Sequence, residues 1–232
     1  MIQPRYWVII PAAGVGKRMQ ADRPKQYLQL VGRTVLEHTL SIFLEHPAIT
    51  GVVLALAKDD PYWRQLGLEH PRLLFAEGGV ERCDTVLHAL DSLQECADAD
   101  DWVLVHDAAR PCLRRDDVDK LIDTLQGHPC GGLLGIPLAD TIKRVNEYHQ
   151  IEATVPRERL WRALTPQMFR HGPLSCALRE AQAKGLHVTD DASAMELTGQ
   201  CPLMVEGHGD NIKITRPEDL PLAAMYLERS AR

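Results

Sequence analysis

The chain lacks a long apolar run: no stretch of its 232 residues approaches the roughly 20 needed to cross a bilayer. Residues 1–5 pass straight into a strand-like pattern without the apolar core of a signal peptide, which points to a cytoplasmic protein. A basic excess is lacking too, with 26 Lys and Arg against 32 Asp and Glu and a formal net charge of −6. That balance argues against a partner that is nucleic acid or a membrane surface, so any anionic ligand must meet a local basic pocket. None of the six cysteines, at 83, 96, 112, 130, 176 and 201, forms a C-x-x-C pair. Their irregular spacing fits reduced thiols, most of them small core residues, better than a disulfide framework or a zinc knot. The ten histidines include no H-E-x-x-H, and His38, His46 and His70, each preceded by Glu, are expected at exposed helix or loop positions. The G-x-S-x-G elbow is missing as well.

What is present is an ordinary globular composition, 45% hydrophobic and 25% charged, long enough to bury a substantial core as a single domain over 1–232. Short apolar runs at Tyr6–Ile10, Val52–Leu56, Leu73–Ala76, Trp102–Val105 and Gly132–Ile136 read as buried strands. Between them, Leu36, Leu40, Phe43 and Leu44 keep helical spacing, as do Val86, Leu90 and Leu93, and Val118, Leu121, Ile122 and Leu125. This alternation predicts an α/β fold: a Rossmann-like, doubly wound, mostly parallel sheet with ligands at the carboxyl ends of its strands. It breaks after Pro137, where apolar and polar residues alternate on either side of a polar turn, Asn146 to Gln150. Residues 137–160 are therefore expected to form a β-hairpin arm. Beyond it the pattern predicts a helix over Pro173–Lys184, a short one near Asp191, a strand near Asn211–Ile214 and a last helix from Pro217.

Directly behind the first strand stands Pro11-Ala12-Ala13-Gly14-Val15-Gly16-Lys17-Arg18-Met19, with Pro24-Lys25 following. Glycines let backbone N–H groups approach an anion, and the cations supply charge, so this reads as a phosphate-handling loop. A dinucleotide fingerprint would need a third glycine where Met19 stands, and the spacing of a Walker A loop is absent. A second signal, His106-Asp107-Ala108-Ala109-Arg110-Pro111, follows the strand Trp102–Val105 and puts a carboxylate at the ligand-binding edge of the sheet. Alone, such an Asp is as often a capping or turn residue; Arg110 and the glycine loop tip it toward function. A third, Gly207 to Pro217, sets Lys213 among apolar neighbours and includes Asp210. The fourth is the Gly78-Gly79 turn followed by Arg82 and Thr85, whose backbone and Thr85 hydroxyl are candidates for reading a base.

Taken with Thr141-Ile142-Lys143-Arg144, Arg157, Leu160-Trp161 and Leu164-Thr165-Pro166-Gln167, these segments resemble the 2-C-methyl-D-erythritol 4-phosphate cytidylyltransferase family of the non-mevalonate isoprenoid pathway. The resemblance spans nearly the whole chain, in order and at family spacing. Val80 stands where relatives often carry an acid, Thr85 where they often carry Ser, Pro156 where an acid is common and Asp191 where Glu is more usual.

The resemblance implies that a phosphate monoester oxygen attacks the α-phosphorus of CTP. Arg18, Lys25 and Lys213 would be the catalytic cations, and Ala12, Ala13, Gly14, Gly16, Gly78, Gly79, Arg82, Thr85, Asp107 and Ala108 would bind the nucleotide. Asp107, Arg110, Thr141, Arg157, Thr165 and Lys213 would bind methylerythritol phosphate, with the arm embracing a second subunit of a homodimer. The implied cofactor is Mg²⁺, or another divalent ion, held mainly by the triphosphate, with Asp107 and Asp210 nearest in role. Two other readings stand beside this one: a cytidylyltransferase for another polyol phosphate such as ribitol 5-phosphate, and a non-catalytic nucleotide-binding protein.

Overall fold

The computed structural model describes residues 4–14, 19 and 22–230. In chain order, β1 (Tyr6–Pro11) leads through a short 3-10 turn (Lys25–Tyr27) and a small ribbon, β2 (Gln29–Leu30) and β3 (Arg33–Thr34), into α1 (Val35–Leu44). There follow β4 (Ile49–Leu56), α2 (Trp63–Leu66), β5 (Leu73–Glu77), α3 (Arg82–Ser92), β6 (Trp102–Val105) and α4 (Arg115–Leu125). The second half contains β7 (Gly131–Pro137), β8 (Ile142–Val145), β9 (Ile151–Val155), β10 (Trp161–Arg170), α5 (His171–Ala183), α6 (Asp191–Leu197), β11 (Leu203–Glu206) and α7 (Asp219–Ser230).

Seven strands form one sheet in the order β11-β7-β10-β6-β1-β4-β5. All neighbours run parallel except at β10, which is antiparallel to both β6 and β7. Alternate side chains of each central strand enter opposite cores. Val8, Ile10, Val52, Leu54 and Leu104 meet α1 and α4, whereas Ile9, Val53, Ala55, Val103 and Val105 meet α3, α5 and α6. Burial on both faces explains why these strands are near-continuous apolar runs. Helix starts are fixed by side chains: Thr34 and Glu37 form a capping box on α1, and Asp190 with Ser193 forms another on α6.

Several expectations are corrected. Residues 211–214 form no strand; they are irregular, and the added strand is β11. α7 begins at Asp219, two residues beyond Pro217. β5 is an edge strand with Leu74 and Phe75 exposed. Only Cys112 and Cys130 are buried; Cys83 and Cys96 are half-buried, Cys176 and Cys201 are exposed, and all six are free. His46 is also buried, with Nε2 3.1 Å from Asp119 Oδ1. Burial lowers its pKa against the pull of Asp119.

β1 connects to β4 on one side, and β6 lies on the other side of β1, so the strand order reverses between β1 and β6. Such a switch point opens a crevice beyond the carboxyl ends of the two strands. The loops that start at Ala12 and His106 both leave from it.

Candidate active site

At that crevice lies a cleft of about 220 Å³ lined by Ala12, Ala13, Gly14, Lys25, Gln26, Gly79 to Arg82, Thr85, Asp107 to Ala109 and Lys213. Asp107 forms its floor, 8% exposed, at the end of β6. Three cations converge on its carboxylate: Lys213 Nζ at 3.0 Å, Arg110 Nε at 3.0 Å and Arg82 Nε at 3.5 Å. Burial alone would raise the pKa of Asp107, but Arg82, Lys213 and Arg110 together hold it far below the usual carboxylate range. Arg82 makes a second, bidentate pair with Asp191 on α6, at 3.2 and 2.8 Å. Asp191 is fully buried and neutralises the cation that Asp107 shares. The substitution of Asp for Glu noted there thus leaves a carboxylate in full use.

His106 has a different task. It is completely buried, and burial lowers its pKa to about 4, so it is neutral at pH 7. The Arg110 carbonyl, 3.1 Å from Nε2, can only accept, which assigns the ring proton to Nε2. Nδ1 then accepts from the Thr165 hydroxyl at 2.9 Å, and the same oxygen accepts the Asp107 backbone N–H at 3.1 Å. Asn211 closes the circuit, its side-chain amide donating to the Thr165 carbonyl at 2.8 Å while its own carbonyl receives Arg110 Nη1 at 2.8 Å. This network fixes the Asp107 loop. Arg110 and Thr165 accordingly stand behind Asp107 as buried supports.

The Gly78-Gly79 turn is required by close approach. A Cβ on Gly78 would sit 2.3 Å from the Ala13 Cβ, and one on Gly79 2.3 Å from the Asp84 Cβ. Thr85, expected to read a base with its hydroxyl, spends it on this turn instead. Its oxygen accepts the Gly79 N–H at 3.0 Å and donates to the Glu81 carbonyl at 3.0 Å. Gln26 is a residue that the sequence reading passed over. It is buried, and its amide donates to the carbonyls of Ala12 at 2.8 Å and Gly14 at 3.2 Å, which fixes the start of the segment after β1. Its position in Pro24-Lys25-Gln26, beside a chosen lysine, was the available signal. Lys25 Nζ donates to the Ile214 carbonyl at 2.9 Å, and so the two lysines approach the cleft from segments nearly two hundred residues apart.

Other expected residues are not brought together. Gly16 and Arg18 lie outside the described residues. Thr141 and Arg157 are exposed on the arm, where Arg157 donates to the Ala139 carbonyl, and neither lines the cleft. Asp210, a candidate metal ligand, does not line this cleft. It faces a separate hollow beside α7, and its Oδ2 is taken by Arg114 Nε at 2.8 Å.

This geometry has close counterparts. Residues 6–229 match the family model described as 2-C-methyl-D-erythritol 4-phosphate cytidylyltransferase. The chain belongs to that family. A relative of that name from Pseudomonas fluorescens strain SBW25 is 57% identical over 219 residues, covering 94% of this chain and 93% of its own. One from Vibrio vulnificus is 53% identical, covering 95% and 94%. Among solved structures, a 4-diphosphocytidyl-2C-methyl-D-erythritol synthase superposes with a TM-score of 0.85 at 37% identity, covering 98% of this chain and all of that one. The Francisella tularensis 2-C-methyl-D-erythritol 4-phosphate cytidylyltransferase gives 0.84 at 36% identity, covering 96% and 99%. The cleft brings together a carboxylate paired with three cations, the Gly79 turn, Lys25 and Lys213.

Proposed function

We infer that this chain transfers the cytidylyl group of CTP to 2-C-methyl-D-erythritol 4-phosphate, releasing pyrophosphate. The observation that carries the reading is the convergence of Lys25, Lys213 and the Gly79 turn on one cleft at the switch point of the sheet. The nucleophile is a phosphate oxygen. With a second pKa near 6 it is largely dianionic at neutral pH, so no general base is required. That agrees with His106, the histidine nearest the cleft floor, being sealed in a structural network. In the reaction a bond forms between this oxygen and the α-phosphorus, and the bond from the α-phosphorus to the bridging oxygen of the leaving pyrophosphate breaks. Catalysis is then positional and electrostatic. Lys25 and Lys213, with Arg18, would meet the charge that develops on the α-phosphate and the leaving group. Base choice would fall to the backbone of the Gly78-Gly79 turn, since the Thr85 hydroxyl is occupied.

A divalent ion such as Mg²⁺ fits this donor set in one way only. No group of three or more His, Cys, Asp or Glu side chains clusters to hold a metal among the described residues, and Asp107 and Glu81 are the carboxylates lining the cleft. The ion would therefore be held by triphosphate oxygens and water, as Mg²⁺ prefers, since Asp107 is already paired with Lys213, Arg110 and Arg82. Bound there, it would neutralise charge on the triphosphate.

The active unit is proposed to be a homodimer acting in the cytoplasm. Among the described residues β8 and β9 pair only with each other, the hairpin exposes Val145, Tyr148 and Ile151, and an isolated two-stranded hairpin is marginal in water. A neighbouring subunit would cover this arm and receive Thr141 and Arg157 in its own cleft. Among the described residues, no helix is long and apolar enough to cross a membrane.

The test is a pyrophosphate-release assay crossing four nucleoside triphosphates with a panel of polyol phosphates. CTP with methylerythritol phosphate should be the preferred pair, because buried donors matched to one base edge are left unpaired by another. Faster turnover with ribitol 5-phosphate would favour the other polyol reading.

A further inference from the structure

Lys213 reaches the cleft from an irregular segment, so something other than secondary structure must hold it. The Gly207 N–H bonds to the Gly135 carbonyl at 3.0 Å, extending the register of β11, and the Ile214 N–H bonds to the Ala109 carbonyl at 2.9 Å. Between these anchors, the buried Asn211 is tied to Thr165 and Arg110, and His208 and Asp210 are tied to the first turn of α4 and the residue before it. Asp117, 1% exposed, accepts twice from His208: Oδ2 takes the backbone N–H at 3.1 Å, and Oδ1 takes the ring Nδ1–H at 2.8 Å. Arg114 holds Asp210 through Nε at 2.8 Å. None of these four side chains lines the cleft around Asp107.

A buried carboxylate is costly without donors, and Asp117 finds them on the segment that carries Lys213. Its place in the first turn of α4 adds the favourable end of the helix dipole. The contacts at His208 and Asp210 lie close together on this segment, just before Lys213. They hold this stretch against a helix packed into the core, whose Val118, Leu121 and Leu125 are fully buried.

We propose that His208 with Asp117, and Arg114 with Asp210, are positioning pairs that fix the Lys213 ammonium for the transfer reaction. The proposal rests on the role assigned to Lys213 above. A displacement of about 1 Å at a positioned group can cost on the order of a hundredfold, so a partial loosening should cost roughly tenfold.

The experiment is a double-mutant cycle on the full-length enzyme, using His208→Ala, Lys213→Ala and the pair. His208 is half-exposed, so truncating it should leave the protein folded. His208→Ala should lower kcat roughly tenfold while KM for CTP stays within about twofold, and adding it to Lys213→Ala should change nothing further. His208→Asn, whose amide can still donate to Asp117, should restore kcat to within about threefold of wild type. Amide hydrogen exchange at 211–214 should quicken in His208→Ala and return in His208→Asn. An equal loss in both Lys213 backgrounds, unchanged kcat, or unchanged exchange would overturn the positioning role. If instead Lys213→Ala alone keeps wild-type turnover, the assignment of Lys213 fails and the proposal with it.

Discussion

The cleft and the arm are both built around charged residues, yet they are finished to different degrees within one chain. In the cleft, Asp107 meets Lys213, Arg110 and Arg82, Arg82 meets Asp191, and the loop beneath is tied through His106, Thr165 and Asn211. On the arm, Arg157 binds a carbonyl of its own hairpin and Lys143 pairs with Thr154 across the ladder at 2.6 Å. Low dielectric and fixed partners make the first set of charges directional before any ligand arrives. Exposed charges on a two-stranded ribbon have no such constraint and acquire one only from a partner. A prebuilt cluster of paired charges and an exposed hairpin therefore coexist, and they should respond differently to the same kinds of perturbation.

The largest expected effect is in the cleft. Lys213→Ala and Lys25→Ala should each lower kcat by about 10²- to 10³-fold, the loss seen when one donor to developing charge is removed. Thermal midpoints should move little, because Asp107 keeps Arg110 and Arg82. Near wild-type turnover in a folded Lys25→Ala protein would break the idea that the cleft is electrostatically complete.

The next effect is on stability. His106 stays neutral in the folded protein down to about pH 4, whereas in the unfolded chain it takes up a proton near its ordinary pKa of 6.5. Below pH 6.5 the unfolded state binds more protons, so stability is lost as pH falls and the loss is complete below about pH 4. At about 1.4 kcal/mol per unit this amounts to roughly 3 kcal/mol. Denaturant titrations at pH 7 and 4.5, on wild type and on a His106→Gln variant, isolate it; an equal drop in both would assign the loss elsewhere.

The smallest effect sharpens the arm. If Arg157 serves the neighbouring subunit, mixing inactive Arg157→Ala and Lys25→Ala chains should restore about a quarter of wild-type activity. Half of freely exchanged dimers are hybrids, each with one intact site. Hybrids confirmed by mass but without activity would place Arg157 in its own subunit or outside the reaction.

The alternation of strand and helix, the hairpin and the segments of the cleft were legible in the sequence because burial imposes periodicity and phosphate loops need glycine. β10 was harder to see. Pro166 lies inside it and argues against a central strand, but the register shift between Ala163 and Gln167 accommodates it. Ile212-Lys213-Ile214 imitates a strand locally, yet its neighbours are loop contacts with Ala109 and Asp107 rather than a ladder. Periodicity reports which side of an element is buried, not which distant element supplies the partner.

The sequence by itself determined the class of fold and the order of its strands and helices, since these follow from local composition and spacing, whereas the candidate cations came from the family resemblance. Only the tertiary structure decided that Asp107 is a saturated counter-ion, that the Thr85 hydroxyl is spent on its own loop, and that Asp210 belongs to Arg114. These outcomes join residues both near and distant in sequence, as in Arg110 with Asp107 and Arg114 with Asp210. The physical reason is that a carboxylate or hydroxyl offers the same chemistry wherever it stands, and its role is set by whichever donors the packed chain brings within hydrogen-bond reach.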